Sequence, residues 1–354
     1  MKSLPPQPRI LIIRFSSLGD VVKCTGLPRQ IRSRYPQARI TFLTSDTFLP
    51  LVRGNPHLHQ ALGFARTTGL GGLLKLAGEL RREKFDLVVD VHQSLRSRLL
   101  SRLTGAPVTA YSKRTLQRVL LLWFGWNTYA TTPGKEQDFL AALAPWGVTD
   151  DGGGTEIHLG ELEPPGWTEK FRPERAQLEG WKKAGRPVLG LAPVAAWELK
   201  RWPEHHVSRL VELFLARTKG GVMLFGGNED RNVQALARQL KSQGLEDRVM
   251  DLSGKTTLLE SAWWAAQTQV MVANDTGMSH IAEAVGRPVV ALFGPTTRHL
   301  GYFPVRPGSV VAEVNLPCRP CSKNGKGRCK RAVNKECLEL VTPEQVLDLV
   351  LERL

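Results

Sequence analysis

Apolar residues in this chain fall into short runs separated by stretches of helical period, and the alternation occurs in two successive series. In the first series, RILIIRF at 9–15 is apolar through its middle, as a parallel strand covered on both faces must be. A helix is predicted over 21–34, a strand over 38–45 (ARITFLTS) and another over 85–91 (FDLVVDV). Gly69 to Gly72 predict a flexible loop, followed by a basic amphipathic helix carrying Lys75, Arg81 and Arg82. Residues 109–126 interleave Lys113, Arg114 and Arg118 with Leu, Trp and Phe. The second series predicts strands at 188–194, 222–225, 249–252, 270–273 and 288–293, with helices over 204–217, 231–243 and 258–267. Strands alternating with helices predict an α/β protein with a parallel sheet in each half. DGGG at 151–154 and EPPG at 163–166 lack apolar periodicity and read as linker. The predicted organisation is a first domain over 1–165, a second over 166–340 with a Cys-rich loop at 318–337, and a terminal helix over 341–354. Val346, Leu349 and Val350 share a face of that helix, widened by Leu347, Leu351 and Leu354.

One stretch, VMVANDTGMSHIAEAVGRPVVALFG at 270–294, combines these signals as strand, turn, helix and strand. Asp275 is placed to cap the helix, with Thr276, Gly277, Met278 and Ser279 as its first turn. Such a turn offers unpaired backbone N–H groups and the positive end of the helix dipole, a seat for phosphate. Gly277 leaves room for close approach, and His280, four residues after Thr276, lies on the same face. The alternative is an ordinary capped βαβ unit. The first strand likewise ends in the small-residue loop SSLGD, with Ser17, Gly19 and Asp20 where α/β sheets bind ligands. Asp20 is either a poised carboxylate or simply an acid favoured in a first helical turn. Arg96 follows the strand at 85–91, so that its cations and those near Arg118 gather at one sheet's end, unless they only solvate a surface. In the second series Lys200, GGNED at 226–230 with Asp230, and Thr256 also follow strands.

With 354 residues and 42% hydrophobic content, two domains with real cores are expected. No apolar run reaches the roughly 18 residues of a membrane span, and MKSLPPQPR lacks a signal-peptide core, so a cytoplasmic chain is expected. A net charge of +15 implies an acidic partner: nucleic acid, an anionic membrane surface or a phosphorylated substrate. Cys318, Cys321, Cys329 and Cys337 lie within twenty residues, and Cys24 lies apart. In a cytosolic chain that spacing favours metal over disulfides, with a structural zinc as one reading and four reduced thiols as the other.

RFSSLGD at 14–20, LKRWP at 199–203, GGNED at 226–230 and NDTGMSHIAEAVGRPVVALFGPT at 274–296 occur in this order over nearly the whole chain. Together they resemble the ADP-heptose:lipopolysaccharide heptosyltransferases of glycosyltransferase family nine, and the Cys-rich tail and KRWP form resemble the heptosyltransferase II branch. The resemblance implies a GT-B architecture of two Rossmann-like domains facing a cleft, with a terminal helix that often crosses back to the first domain. It implies inverting, metal-independent transfer of L-glycero-D-manno-heptose from ADP-heptose to the inner core of a lipid A-linked oligosaccharide, with no cofactor for catalysis. Carried over by position, Asp20 matches the catalytic base and Lys200 the lysine on the donor phosphate. Thr276, Gly277 and His280 match the pyrophosphate-binding helix start, Asp275 the acid beside the sugar, Asp230 the ribose contact and Thr256 a position beside adenine. Ser17, Gly19, Arg96 and Arg118 are then acceptor-side candidates, at the inner face of an anionic membrane. At Ala195 and Ala196 the chain departs from the family, where many relatives carry hydroxyl or acidic side chains. Two rivals are a GT-B enzyme for another nucleotide sugar and a basic nucleic-acid-binding protein with a four-cysteine cluster. The spread of the basic residues and the lack of any nucleic-acid-reading motif speak against the second, so no nucleic-acid partner is expected.

Overall fold

A computed structural model describes residues 2–132, 134–160 and 167–354. The chain forms two compact units. The first holds the described residues of Met1–Thr115 and Pro133–His158, the second those of Leu116–Thr132 and Leu159–Leu354. The domain boundary expected at 165/166 lies outside the described residues, and the compact units divide earlier, between His158 and Leu159. Arg118, expected in the first domain, belongs to the second unit.

The first unit is built on strands β1 (Arg9–Ile13), β2 (Arg39–Ser45), β3 (Gln60–Phe64), β4 (Leu87–Asp90) and β5 (Val108–Thr109). They form one parallel sheet in the order β3-β2-β1-β4-β5. The unbroken apolar run of β1 follows from its central place. Ile10 and Ile12 enter the core on one face, and Leu11 and Ile13 enter the core on the other. The helix expected over 21–34 is two helices, Leu18–Val22 and Leu27–Arg34. Pro28 in the first turn of the second has no N–H to continue the first. Gly26 caps it where a Cβ would stand 2.3 Å from the carbonyl oxygen of Gly154. The glycines at 69–72, expected as loop, lie inside the helix Gly69–Arg82. Its face Leu73, Ala77 and Leu80 is buried, and that packing outweighs the propensity cost of the glycines.

The second unit carries β6 (Val188–Ala192), β7 (Gly221–Leu224), β8 (Val249–Asp251), β9 (Val270–Asn274), β10 (Val289–Leu292) and β11 (Val310–Ala312). All are parallel, in the order β11-β10-β9-β6-β7-β8. Read from β6, this is the doubly wound order, in which the direction of winding reverses between β6 and β9. In the first sheet the reversal falls between β1 and β4. Each reversal leaves a crevice at the carboxyl ends of two adjacent strands, which is where ligands bind in such sheets. The terminal helix Pro343–Leu351, expected to cross back, belongs to the second unit. Val346, Leu347 and Val350 are buried in that unit's core beside Leu210 and Phe214.

Candidate functional site

The loops after β6 and β9 line the crevice of the second unit. Lys200 closes a short turn, Glu198–Lys200, after β6. Its Nζ lies 2.5 Å from Asp275 Oδ2 and 3.3 Å from the Asp275 carbonyl oxygen. Thr296 Oγ1, after β10, donates to the same Asp275 carboxylate oxygen at 2.8 Å. Asn274 ties the two loops together: its Oδ1 accepts from Trp202 N, and its Nδ2 donates to the Val194 carbonyl, both at 3.3 Å. Asp275 is therefore not the helix cap expected from sequence. The helix runs Gly277–Ala284 and Thr276 is its N-cap, because the Asp275 carboxylate is already engaged by Lys200 and Thr296. Thr276 Oγ1 is buried and makes no hydrogen bond. A buried hydroxyl without a partner, beside free N–H groups of a helix start, fits an anionic ligand. Gly277 is in that first turn, and His280 is buried one turn on, its ring 6.1 Å from Tyr302.

Asp230 and Thr256 follow β7 and β8, on the same edge of the sheet. Asp230 Oδ2 accepts from Gly227 N at 2.7 Å, and Oδ1 lies 3.7 Å from Arg201 Nη2. Thr256 Oγ1 shares a 2.7 Å hydrogen bond with Ser261 Oγ.

In the first unit, Asp20 lies in the first turn of Leu18–Val22, at the end of β1. Its Oδ2 accepts from Ser17 Oγ at 2.9 Å and pairs with Arg14 Nη2 at 2.5 Å. Arg14 also donates to the Val91 carbonyl, and its guanidinium lies 5.2 Å from the Phe139 ring centroid. Asp90, at the end of β4, accepts from the backbone N of His92 and Gln93 and from Ser97 Oγ, which fixes the turn across the crevice from Asp20. Burial, reinforced by the Arg14 charge, pushes His92 down to about 4, so it is neutral at physiological pH. Burial raises the Tyr111 phenol, which bonds Arg14. Ser17 is exposed and Gly19 half-buried beside Asp20, while Arg96 is exposed at the start of helix Leu95–Leu103. Arg118 is half-buried on the helix Thr115–Phe124, in the other unit.

Sequence reasoning assigned no role to Arg14, Thr296 or Asn274. The signal for Arg14 was present, since a charge inside a buried strand run must be paired.

The zinc expected at Cys318, Cys321, Cys329 and Cys337 is not supported. Among the described residues, the sets with three ligand atoms within 4.8 Å of one another contain no cysteine. Sulfurs around one zinc would lie about 3.8 Å apart, given bonds of about 2.3 Å. All four cysteines are free, and burial pushes the Cys337 thiol up to about 11 and also raises Cys321. The loop is held by other means. The Arg319 guanidinium donates to the carbonyls of Gly294 (2.5 Å), Thr296 (2.9 Å) and Phe293 (3.3 Å) and pairs with Glu313 at 2.5 Å. Lys335 Nζ reaches Glu198 Oε1 at 2.7 Å, and Gly325 (φ 87°) lies where a Cβ would be 2.7 Å from Lys200 Cγ. The cysteine-rich segment thus packs on the Lys200 loop.

Comparison with known proteins places the chain in a family. The profile of glycosyltransferase family 9 (heptosyltransferase) matches residues 73–330. The chain is 30% identical over 309 residues to lipooligosaccharide heptosyltransferase 2 of Haemophilus influenzae, covering 81% of this chain and 84% of that protein. It is 26% identical to lipopolysaccharide heptosyltransferase 2 of Escherichia coli K12, covering 96% and 97%. The structure of E. coli ADP-heptose lps heptosyltransferase II superposes with a TM-score of 0.71 at 23% identity, covering 97% of this chain and 98% of that one, and shares the GT-B fold. With two doubly wound sheets, a paired lysine and aspartate at a helix start, and a matching profile over most of its length, the chain belongs to glycosyltransferase family 9, the heptosyltransferases.

Proposed function

We propose that the protein transfers heptose from ADP-heptose to a lipopolysaccharide core acceptor, with inversion and without a catalytic metal. The observation that carries this reading is the Lys200–Asp275–Thr296 cluster beside the unpartnered Thr276 hydroxyl at the start of helix Gly277–Ala284. A departing nucleoside diphosphate gains charge, and a preorganised lysine with a helix N-terminus meets it without reorganisation. The name of the E. coli relative supports ADP-heptose as donor. In the first unit Asp20, oriented by Arg14 and Ser17, is the group to take the proton of the attacking acceptor hydroxyl. One displacement, with no carboxylate nucleophile intervening, inverts the anomeric centre.

The acceptor is read as lipid-linked, at the inner face of an anionic membrane. Leu116, Val119, Trp123, Phe124 and Trp126 are exposed on and just after helix Thr115–Phe124, next to Arg114 and Arg118, in a chain of net charge +15.

The test is product analysis with ADP-heptose, other ADP- and UDP-sugars and a series of truncated core acceptors, each with and without EDTA. Heptosylated core with inverted anomeric configuration, formed equally in EDTA, is expected. Transfer only from a different sugar nucleotide, or a rate lost in EDTA and restored by Mg²⁺ alone, overturns the reading.

A further inference from the structure

We propose that His57, Glu156 and His158 form a binding site for a late first-row divalent cation of the Zn²⁺ type, at the edge of the first unit opposite Asp20. The Nε2 atoms of His57 and His158 lie 4.0 and 3.2 Å from Glu156 Oε1, and the three ligand atoms all lie within 4.8 Å of one another. A cation with ligand bonds of about 2.0–2.2 Å holds its ligands about 3.0–3.5 Å apart at octahedral to tetrahedral angles; His158 and Glu156 already stand so, and His57 must close in on Glu156 by about 0.5–1 Å. Two imidazoles and a carboxylate are the donor set of zinc and related ions, with the remaining positions left to water.

An independent observation points the same way. His158 Nε2 is buried and makes no hydrogen bond, although the carboxylate oxygen is 3.2 Å away. No ring N–H is aligned on that oxygen, whereas a cation between the two atoms would engage both.

The surroundings hold the ligands in place. Asn55, itself buried, donates to Glu156 Oε1 at 3.0 Å and to the Thr25 carbonyl at 3.1 Å, while its Oδ1 accepts from His57 N at 2.9 Å. One side chain thus orients two of the three ligands, as outer-shell groups of metal sites do. Arg29 engages the other oxygen of Glu156, yet it also binds Asp151 through two contacts of 2.7 and 3.0 Å.

Placement argues for a structural ion. His57 leads into the start of β3, whereas Asp20 follows the end of β1, so the ligands lie at the strand edge away from the crevice. Glu156 and His158 are the last part of the first unit before the chain passes on at Leu159. A bound cation would fasten that exit segment to the loop at Asn55–His57 and couple metal binding to local order. A second set, His205, His206 and Glu339, is less free to ligate, because His206 Nε2 already meets the Glu339 carbonyl at 3.0 Å.

The full chain, freed of metal with a chelator, is titrated with Zn²⁺ by calorimetry near neutral pH, and with Co²⁺ by visible absorption. One saturable site per chain is expected, with Co²⁺ bands that lack thiolate charge transfer. Outer-shell changes cost about 10–100-fold in metal affinity, so His57→Gln and His158→Gln should each cost more than about 100-fold. His205→Gln should leave the affinity unchanged. Zn²⁺ should also slow amide exchange at 155–158 in the wild-type chain, a readout that needs no variant. Absence of saturable binding, thiolate charge transfer, exchange at 155–158 unchanged by Zn²⁺, or binding that survives both histidine changes would each overturn the proposal.

Discussion

Asp20 cannot be altered without disturbing Arg14. Their side chains are 11% and 8% exposed and 2.5 Å apart, so removing either charge strands the other in a buried site. Breaking such a pair costs about 3–5 kcal/mol, and loss of general-base help costs about 10²–10⁴-fold in turnover. Asp20→Asn should therefore lower both melting temperature and kcat. The double variant Arg14→Met/Asp20→Asn should recover part of the melting temperature and none of the turnover. Near-wild-type kcat in the folded single variant would remove Asp20 from the chemistry. At the other crevice, Lys200 Nζ is held 2.5 Å from Asp275, and a bound diphosphate would compete for it. A hydrogen bond to a charged group is worth about 1.5–3 kcal/mol, so Lys200→Ala should weaken ADP binding by roughly 10- to 150-fold. Calorimetry with ADP measures this, and unchanged affinity would contradict the role given to Lys200.

Among the described elements, helix Thr115–Phe124 leaves most of its apolar face bare: only Leu121 is buried, while Trp123 is 81% and Trp126, just beyond its end, 62% exposed. Fully removing such a side chain from water contributes about 1.5–3 kcal/mol. Sedimentation with vesicles should show binding to anionic lipid that weakens with salt, and weaker binding to neutral lipid. Trp123→Ser with Trp126→Ser should lower that partitioning by more than about tenfold without changing ADP affinity. Equal partitioning of variant and wild type would exclude this helix as the contact. The helices also show where local pattern misleads. Periodicity over 21–34 is continuous, yet Pro28 and the close approach of Gly154 to Gly26 divide it.

For the whole molecule, acid stability follows from the buried polar crevice of the first unit. His92 titrates near 4 when folded, against 6.5 for a free side chain. Between those values the unfolded chain binds a proton that the folded chain refuses, so stability rises with pH across the window. The contribution is fully present above about 6.5 and is lost as pH falls toward 4. His92→Gln should flatten the fall of melting temperature between those limits, and an unchanged slope would show that His92 is not linked to folding. The described residues include no helix long and apolar enough to cross a membrane.

Two α/β series, most of the strands and the strand-end positions of Asp20, Lys200, Asp230, Thr256 and Asp275–His280 were determined by the sequence alone. Period and turn chemistry are local properties, carried within ten or so residues. What tertiary structure decided is which of these groups touch. Lys200 meets Asp275 across 75 residues, and Arg14 reaches Val91 across 77. Only the crossing of strands in the order β10-β9-β6 and β2-β1-β4 sets such pairs side by side. The cysteine spacing was legible but its meaning was not. Spacing predicts which thiols are near in the chain, while Arg319 and the carbonyls at the end of β10 decide how the loop folds, and among the described residues no three of the sulfurs lie within 4.8 Å of one another. The His57, Glu156 and His158 cluster was not legible, because His57 is about a hundred residues from the Glu156–His158 pair and meets it only where the chain leaves the first unit.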